Sequence, residues 1–280
     1  PSILLLVETE IWPNLINVSN EFKLPVVLVN GRLSDKSLKK YQRLSSFFKG
    51  SFNKIDHAFV QSKNDFERFF EAGIDRDAMS VSGSIKFDIN LKALKNFTEN
   101  EVNYYKEKYL FVCGSTHPGE EEILIDSFID LNKENKHLVL APRHPERFGE
   151  IKELVNKKNL SNILYTEISS NPDKESDVTI VDVIGRLLDF YEIADCVFIG
   201  GTLVDHGGQN FLEPAFFNKP IISGRSTYNF DEISKKLSDL GLLKFVSNKD
   251  EISSAIENIE AISDSLKKDT NLWLNENRGC

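Results

Sequence analysis

The sequence contains few cysteines, no long apolar run and no secretory signal. Only three cysteines occur among 280 residues; Cys113 and Cys196 lie inside apolar, strand-like runs and Cys280 is terminal. A disulfide framework is therefore not expected, and a reducing compartment fits best. No apolar stretch approaches the length of a membrane-spanning helix, although a truncated start could have removed one. A peripheral membrane role stays open.

Motifs for metal binding and for two large enzyme classes are also missing. The five histidines are scattered, no Cys-x-x-Cys occurs, and no Asp-x-Asp pair stands at a strand end. These absences favour a metal-independent mechanism. The sequence has neither a Gly-x-Ser-x-Gly elbow nor a P-loop lysine motif, which disfavours hydrolases and nucleotide triphosphatases. We expect no bound metal, no cofactor and no nucleic-acid partner.

Composition and pattern instead favour a folded α/β protein. Hydrophobic residues make up 40% of the chain and charged residues 28%, so an apolar core is available. Short β-branched or leucine-rich runs alternate with helical patterns, which predicts parallel sheets covered by helices on both faces. The length favours two domains. A polar stretch between about 86 and 105 is the candidate linker, and we assign residues 1–92 to a first domain and 93–280 to a second.

The pattern predicts ten strands and the helices between them. In the first domain the strands are Ile3–Val7, Val26–Asn30, Ala58–Gln61 and Met79–Ser82, and the helices are Trp12–Phe22, Asp35–Lys49 and Asn64–Ala72. In the second domain the strands are Tyr109–Gly114, His137–Ala141, Asn162–Tyr165, Val178–Val181, Cys196–Gly200 and Pro220–Ser223. Helices are expected to begin near Pro118, Pro145, Gly185 and Gly208, and helical patterns close the chain from Tyr228 onward.

The segment from Gly31 to Lys54 combines basic and apolar side chains. Its basic residues outnumber the single acid, Asp35, and alternate with leucines and aromatic residues. Such an amphipathic basic helix could lie near anionic lipid or phosphates. The alternative is the solvated face of a helix that packs on the core.

Loops that leave the strands of the second domain carry the candidate ligand groups, because ligands gather at the carboxyl ends of parallel strands. Ser115, Thr116 and His117 precede a Pro-Gly-Glu helix start. This arrangement suits a phosphate or a sugar carboxylate, and it is also an ordinary helix cap. The next strand ends in a proline-rich turn with Arg143 and His144. A rigid cationic turn suits a nucleotide monophosphate, the alternative being a structural turn with an exposed histidine.

A third loop combines two glycine pairs with an Asn-x-x-Glu sequence. Gly201 follows a strand, and the pair at 207–208 precedes the run Asn210, Phe211, Leu212 and Glu213. Glycines let a ligand approach the backbone closely. Because Glu213 stands three residues after Asn210, both lie on one helix face, where the carboxylate could accept hydrogen bonds from ribose hydroxyls.

Two charged residues of the first domain are further candidates. Glu8 ends the first strand, and Lys86 stands where the first domain meets the linker. A carboxylate at a strand end can hold sugar hydroxyls, and its pKa can be raised by a neighbouring acid. The alternatives are that Glu8 caps the following helix and that Lys86 is a surface lysine.

Six motifs, in this order along the whole chain, resemble the 3-deoxy-D-manno-octulosonic acid (Kdo) transferases of lipid A assembly. They are Val-Glu-Thr-Glu-Ile-Trp-Pro-Asn at 7–14, Asn-Gly-Arg-Leu-Ser at 30–34, Gly-Ser-Ile-Lys-Phe-Asp at 83–88, Gly-Ser-Thr-His-Pro-Gly-Glu-Glu at 114–121, Pro-Arg-His-Pro-Glu-Arg-Phe at 142–148 and Gly-Gly-Gln-Asn-Phe-Leu-Glu-Pro at 207–214.

The resemblance implies a GT-B fold of two Rossmann-like domains and an inverting, metal-independent transfer from CMP-Kdo to a lipid A precursor. The N-terminal domain would handle the acceptor at the cytoplasmic face of the inner membrane, and the C-terminal domain would bind CMP-Kdo. Glu8 and Lys86 would stabilise the transition state. The CMP contacts implied are Arg143, His144, Gly185 with its neighbours Arg186 and Leu187, and Asn210 to Glu213.

Two departures from the family pattern affect this interpretation. The family's general-base glutamate lies on an earlier Ser-x-Gly-Glu loop, near a membrane-associating N-terminus, and the sequence begins at Pro1 without it. Roughly a hundred residues of the first domain would then be absent, and we expect this chain alone to be inactive or severely impaired. In the family an acid often follows the glycine that corresponds to Gly185. Arg186 stands at that position here, which makes the contribution of residue 186 to nucleotide binding doubtful.

Two other functions remain open at this point. A UDP-sugar 2-epimerase shares the two-domain plan but would bind a UDP-sugar and no lipid. A non-catalytic module could bind a nucleotide without turnover.

Overall fold

The computed structural model describes residues 1–43, 45–89, 97–259 and 262–278, and the chain divides into two compact units. Unit 1 comprises Pro1–Asp88 and Asn275–Cys280, and unit 2 comprises Ile89–Leu274. The sequence-based division at 92/93 placed the whole C-terminal region in the second domain, whereas the structure groups the last residues with unit 1.

Unit 1 is a parallel four-stranded sheet whose strands lie in chain order, β1-β2-β3-β4. The strands are β1 (Leu4–Val7), β2 (Val26–Gly31), β3 (His57–Val60) and β4 (Met79–Val81). The helices are α1 (Pro13–Glu21), α2 (Asp35–Arg43), α3 (Ser45–Phe52) and α4 (Lys63–Ala72).

Local signals explain the helix boundaries in unit 1. Pro13 starts α1 at a position where its missing N–H is not needed. Ser62 caps α4 by accepting a hydrogen bond from the backbone N–H of Asp65, and Gly73 ends that helix with a φ of 121°. The core beneath the helices is built from fully buried Ile16, Leu28 and Phe69, among others.

The basic segment forms two helices instead of the single helix predicted over 35–49. Its apolar side packs on the core of unit 1: Leu38 and Phe52 are buried, and the rings of Tyr41 and Phe48 lie 4.7 Å apart, centroid to centroid. Leu44 lies outside the described residues. Core packing therefore accounts for the apolar residues of this segment, which agrees with the alternative of a helix that packs on the core.

Unit 2 is a parallel seven-stranded sheet in the order β11-β10-β9-β5-β6-β8-β7. Its strands are β5 (Tyr109–Thr116), β6 (Lys136–Pro142), β7 (Asn162–Leu164), β8 (Val178–Ile180), β9 (Cys196–Ile199), β10 (Ile221–Ser223) and β11 (Leu243–Phe245). The chain builds outward from β5 to one side and then returns to build β9, β10 and β11 on the other. The strand order therefore reverses between β5 and β9, which is where open α/β sheets bind ligands.

Helices cover the sheet of unit 2, and the centre of its core is apolar. Phe111, Val112 and Cys113 of β5 are fully buried, as expected for a central strand with both faces covered. Cys113 and Cys196 are buried free thiols. The helices are α5 (Glu99–Tyr105), α6 (Glu120–Asp130), α7 (Phe148–Lys157), α8 (Tyr165–Ile168), α9 (Leu187–Ile193), α10 (Leu212–Phe216), α11 (Asp231–Leu240), α12 (Lys249–Glu257) and α13 (Asp264–Glu276).

Two further sequence-based predictions about elements were wrong. The proposed linker between 86 and 105 contains α5, which begins with a capping box in which Thr98 and Glu101 exchange hydrogen bonds. Residues 90–96 of that linker lie outside the described residues. The helical pattern predicted from Tyr228 onward is interrupted by β11, a strand of three residues at the edge of the sheet.

Candidate functional site

A cavity of about 430 Å³ opens in unit 2 at the carboxyl ends of the strands. It lies where the strand order reverses, and the end of β5 and the segments that follow β6, β8 and β9 each contribute to it. The three loops predicted to meet around one ligand, at 143, 185 and 210, therefore line one cavity. Its lining residues are Ser115, Arg143, Gly185, Leu187, Leu188, Tyr191, Gln209, Asn210 and Glu213.

An irregularity at the end of β5 forms one wall of the cavity. The pairing of β5 with β6 shifts between Gly114 and Thr116, and Ser115 between them has a φ of 55°. A Cβ atom at Gly114 would collide with the hydroxyl of Tyr191, so the missing side chain makes room for this buried ring. Burial raises the pKa of Tyr191, and the charge of Glu213 adds to the effect. Tyr191 is therefore neutral at physiological pH.

The buried carboxylate of Glu120 ties the loops after β5 and β9 together. It accepts four backbone N–H hydrogen bonds of 2.7 to 3.0 Å, from His117, Gly201, Thr202 and Leu203. A Cβ atom at Gly200 would collide with the carbonyl oxygen of Ser115, so glycine is needed for this close approach. The loops next to the cavity are thus fixed before any ligand binds.

The turn after β6 presents Arg143 to the cavity. The backbone N–H of Arg143 donates to the carbonyl oxygen of Thr116 at 3.0 Å. The guanidinium of Arg147 pairs with buried Glu121 at 2.8 Å and with Glu150 at 3.1 Å, which anchors the turn. Arg143 itself is exposed, so its guanidinium can reach a ligand.

Asn210 and Glu213 form a hydrogen-bonded pair that also lines the cavity. The Asn210 Nδ2 atom donates to Glu213 Oε1 at 3.1 Å, and its Oδ1 atom accepts from the backbone N–H of Leu212 at 3.0 Å. Burial raises the pKa of Glu213, and the hydrogen bond from Asn210 partly offsets this. Phe211 and Leu212 between them are fully buried and hold the short helix α10 against the core.

His117 and Gly201 lie beside the cavity and do not line it. The ring of His117 stacks on His206 with centroids 4.3 Å apart, and its Nε2 atom lies 3.4 Å from Nε2 of Gln209. Burial, followed by the charge of His206, lowers the pKa of His117. A Cβ atom at Gly201 would stand 3.2 Å from the His117 ring, so the glycine makes room for it.

Besides Phe211 and Leu212, which are buried in the core, three of the proposed contact residues have side chains directed elsewhere. Thr116 is fully buried. His144 is exposed, and its Nδ1 atom lies 3.6 Å from a carboxylate oxygen of Glu146. Arg186 is buried against two aromatic rings and pairs with Asp189 at 3.0 Å and with Glu101 at 3.8 Å; the rings are those of Phe97 and Tyr165. The structure does not bring these three side chains to the cavity.

Sequence reasoning missed three of the lining residues. Leu188 and Tyr191 stand on α9 with Leu187, and the spacing of one helical turn between 187 and 191 is the signal that could have found the tyrosine. Gln209 was part of the quoted Gly-Gly-Gln-Asn motif but was not assigned a role.

A second group of polar residues lies in unit 1, where Glu8 and Lys86 come together. Glu8 follows β1 with a φ of 56°, and Lys86 stands in a 3₁₀ turn, Ile85–Phe87, after β4. Burial lowers the pKa of Lys86, the charge of Arg32 lowers it further, and the charge of Glu8 partly offsets both. Asn30 and Arg32 belong to the motif at 30–34, and the sequence alone assigned neither of them to this group.

Within the described ranges, no group of three or more His, Cys, Asp or Glu residues could hold a metal ion. Over the same ranges, no helix has the length and hydrophobicity that crossing a membrane requires.

The fold and the position of the cavity define a class of protein. A UDP-GlcNAc 2-epimerase from Methanocaldococcus jannaschii aligns with a TM-score of 0.59 at 15% identity, over 98% of this chain and 77% of that one. Another solved UDP-N-acetylglucosamine 2-epimerase aligns with a TM-score of 0.60 at 13% identity, over 97% of this chain and 66% of that one. The chain has the GT-B fold of two Rossmann-like units with parallel sheets, which confirms the predicted fold class.

Sequence comparison then identifies the family. Residues 1–89 match the model of the 3-deoxy-D-manno-octulosonic-acid transferase (kdotransferase) family. A 3-deoxy-D-manno-octulosonic acid transferase from Haemophilus influenzae is 32% identical over 288 residues, covering 100% of this chain and 67% of that protein. The chain therefore belongs to the Kdo transferase family, as the six motifs indicated.

The relatives are longer than this chain. A bifunctional glycosyltransferase/methyltransferase from Fusobacterium nucleatum is 36% identical over 280 residues, which are 99% of this chain and 43% of that protein. The chain thus spans between 43% and 67% of the length of these two relatives.

Proposed function

We propose that the protein transfers Kdo from CMP-Kdo to a lipid A precursor in lipopolysaccharide biosynthesis, with inversion and without a metal ion. Membership of the Kdo transferase family supports the transferred sugar. The observation that carries the nucleotide part of the proposal is the cavity that Arg143, Gly185 and Asn210 line together.

The cavity of unit 2 has the chemistry that a nucleotide monophosphate requires. Its volume of about 430 Å³ falls in the range of small-molecule sites. Arg143 offers paired N–H donors for a phosphate, and Glu213 offers acceptors for ribose hydroxyls. Leu187 and Leu188 supply an apolar surface for a base. We therefore assign the CMP moiety of the donor to this cavity.

Glu8 and Lys86 are proposed to stabilise charges that develop in the transition state. Both lie at the carboxyl ends of strands in unit 1, and their charges interact. A fixed pair of opposite charges costs no reorganisation at the moment of reaction, which is the general basis of electrostatic catalysis.

The proposed acceptor places the protein at the cytoplasmic face of the inner membrane as a peripheral protein. Exposed lysines and an arginine on α2 provide a basic surface for anionic lipid: Lys36, Lys39, Lys40 and Arg43. Vesicle binding at low and high salt tests this part, because electrostatic attraction falls as salt rises. Binding to anionic vesicles that is unchanged in high salt would exclude an electrostatic role for this surface.

Two measurements test the proposed reaction. The first is an assay of transfer from CMP-Kdo to a lipid A precursor by the intact protein, with and without a chelator. Transfer that the chelator does not affect would support both the activity and its metal independence. Calorimetry with CMP and UDP tests the nucleotide, since a UDP-sugar epimerase would prefer UDP. Preference for UDP, or no transfer by the intact protein, would contradict the proposal.

Replacement of Arg143 tests the assignment of the cavity directly. Arg143→Ala removes a charged donor, and we expect CMP to bind about tenfold to a hundredfold more weakly. Arg278→Ala, an exposed arginine of unit 1, is the matched control and should leave the affinity unchanged. Equal CMP affinity in wild type and Arg143→Ala would exclude this arginine from the site.

A further inference from the structure

Asn30 occupies an irregular position at the end of β2. Its φ of 53° lies in the left-handed region, and the pairing of β2 with β3 shifts between Leu28 and Gly31. The residue is only 3% exposed. Bulges of this kind commonly re-aim a side chain, and asparagine tolerates the left-handed region better than most residues.

The carboxamide of Asn30 connects two segments that are distant in sequence. Its Nδ2 atom donates to Glu8 Oε1 at 3.4 Å, and its Oδ1 atom accepts from the backbone N–H of Ile85 at 3.2 Å. The main-chain carbonyl oxygen of Asn30 accepts from Gln61 Nε2 at 3.0 Å, which fixes the strand end itself. One buried side chain thus links the end of β1 to the turn that carries Lys86.

We infer that Asn30 is a positioning residue that sets the geometry of Glu8 relative to the Lys86 turn; this rests on the proposed function. The position requires a donor toward the carboxylate and an acceptor toward the backbone N–H. Aspartate lacks the donor, and glutamine places its amide one methylene further from the backbone. Asparagine satisfies both groups at this length and also tolerates the positive φ.

The hydrogen bonds of Asn30 also hold Lys86 near the charges that surround it. Two charged groups that act on the lysine are Glu8, after β1, and Arg32, after β2. Release of the 85–87 turn would let the ammonium group move away from both and gain water. A shift of about 1 Å in a catalytic group can cost two orders of magnitude in rate. Asn30 therefore acts on turnover through Glu8 and Lys86, without contacting substrate.

Two variants separate the hydrogen bonds of Asn30. Asn30→Gly removes both side-chain bonds and keeps the left-handed backbone free of strain. Asn30→Asp keeps an acceptor for Ile85 but replaces the donor to Glu8 with a second carboxylate. Asn17→Ala, which removes the amide oxygen that accepts a hydrogen bond from Lys54, is the matched control in unit 1.

Steady-state transfer assays with the intact protein give the first readout. We expect kcat to fall about tenfold to a hundredfold in both Asn30 variants. The KM for CMP-Kdo and the affinity for CMP should stay within about twofold of wild type, because the nucleotide cavity lies in unit 2. A kcat within about twofold of wild type in either folded variant would overturn the inference.

Titration of the Lys86 side chain by NMR gives a readout that does not need activity. In wild type its pKa lies below the usual lysine value, and in Asn30→Gly we expect it to move back toward that value. An unchanged Lys86 titration would also overturn the inference. Absence of transfer by wild type would contradict the proposed function instead of this inference. If the glycine variant does not fold, Asn30→Asp takes its place in both measurements.

Discussion

At the scale of single residues, glycines and buried polar groups shape the cavity more than the residues that face a ligand. Gly114 leaves room for Tyr191, and Glu120 holds two loops by four backbone hydrogen bonds. Neither lines the cavity, yet both determine where Ser115 and the neighbouring loops lie. The motif at 114–121 therefore contains residues that fix the backbone beside the cavity.

Substitution of Gly114 tests the space that Tyr191 occupies. Gly114→Ala places a methyl group on the tyrosine hydroxyl, and we expect the free energy of unfolding to fall by about 1 to 3 kcal/mol. Tyr191→Phe removes the colliding oxygen and should recover part of that loss in the double variant. Urea denaturation of the four proteins measures the cycle. Additive effects of the two substitutions would contradict the contact.

His137 predicts a pH dependence of stability. Burial, with the charge of Lys108, lowers its pKa to about 3. An unfolded imidazole titrates near 6.5, so below that pH the unfolded state takes up a proton that the folded state does not. The free energy of unfolding is therefore unaffected by this histidine well above pH 6.5 and falls as the pH is lowered. By pH 5 the loss amounts to about 2 kcal/mol.

The measurement is urea unfolding at pH 7 and pH 5 for wild type and His137→Gln. The variant has no imidazole to protonate at this position, so its stability should fall less than that of wild type between the two pH values. The same fall in both proteins would show that His137 does not cause it.

At the scale of elements, sequence patterns located the strands and missed what depends on side-chain packing. Each of the ten predicted strands corresponds to an observed one, because apolar runs are the direct consequence of a sheet covered on both faces. The edge strand β11 was missed because Leu243 is its one buried residue, which leaves little pattern. Helix α5 was missed because its segment is polar, although Thr98 and Glu101 carried a capping signal.

Glu120 links elements, and its replacement tests that role. Glu120→Gln turns one acceptor of the buried carboxylate into a donor that would face backbone N–H groups. We expect the free energy of unfolding to fall by about 3 kcal/mol. Glu122→Gln, a neighbour on the exposed side of α6, should change it by less than about 0.5 kcal/mol. Similar losses in both variants, measured by urea denaturation, would contradict the role of the four hydrogen bonds.

In the candidate site, too, local sequence patterns could not reveal contacts between residues that are distant in sequence. Strand ends predicted ligand groups at Arg143 and Asn210, and the family resemblance added Gly185 as a contact of the same nucleotide. The three residues line one cavity. The burial of Arg186 between aromatic rings and acids could not be foreseen, since those partners lie at Phe97, Glu101 and Tyr165, far away in sequence. The link from Asn30 to Glu8 and Ile85 was missed for the same reason.

At the scale of the whole molecule, each of the two parallel-sheet units carries one group of candidate functional residues. Unit 2 holds the cavity that we assign to CMP, and unit 1 holds Glu8, Asn30 and Lys86. The chain spans 43% of the length of one relative and 67% of the length of another. The proposed transfer is therefore a proposal about the intact protein, and within it the nucleotide binding is what we assign to unit 2.

A crystal structure of the protein with CMP tests this account most directly. We predict the phosphate within hydrogen-bonding distance of the Arg143 guanidinium and the ribose beside Asn210 and Glu213, with Leu187 against the base. CMP bound at another place, or a cavity that stays empty at saturating CMP, would contradict the assignment.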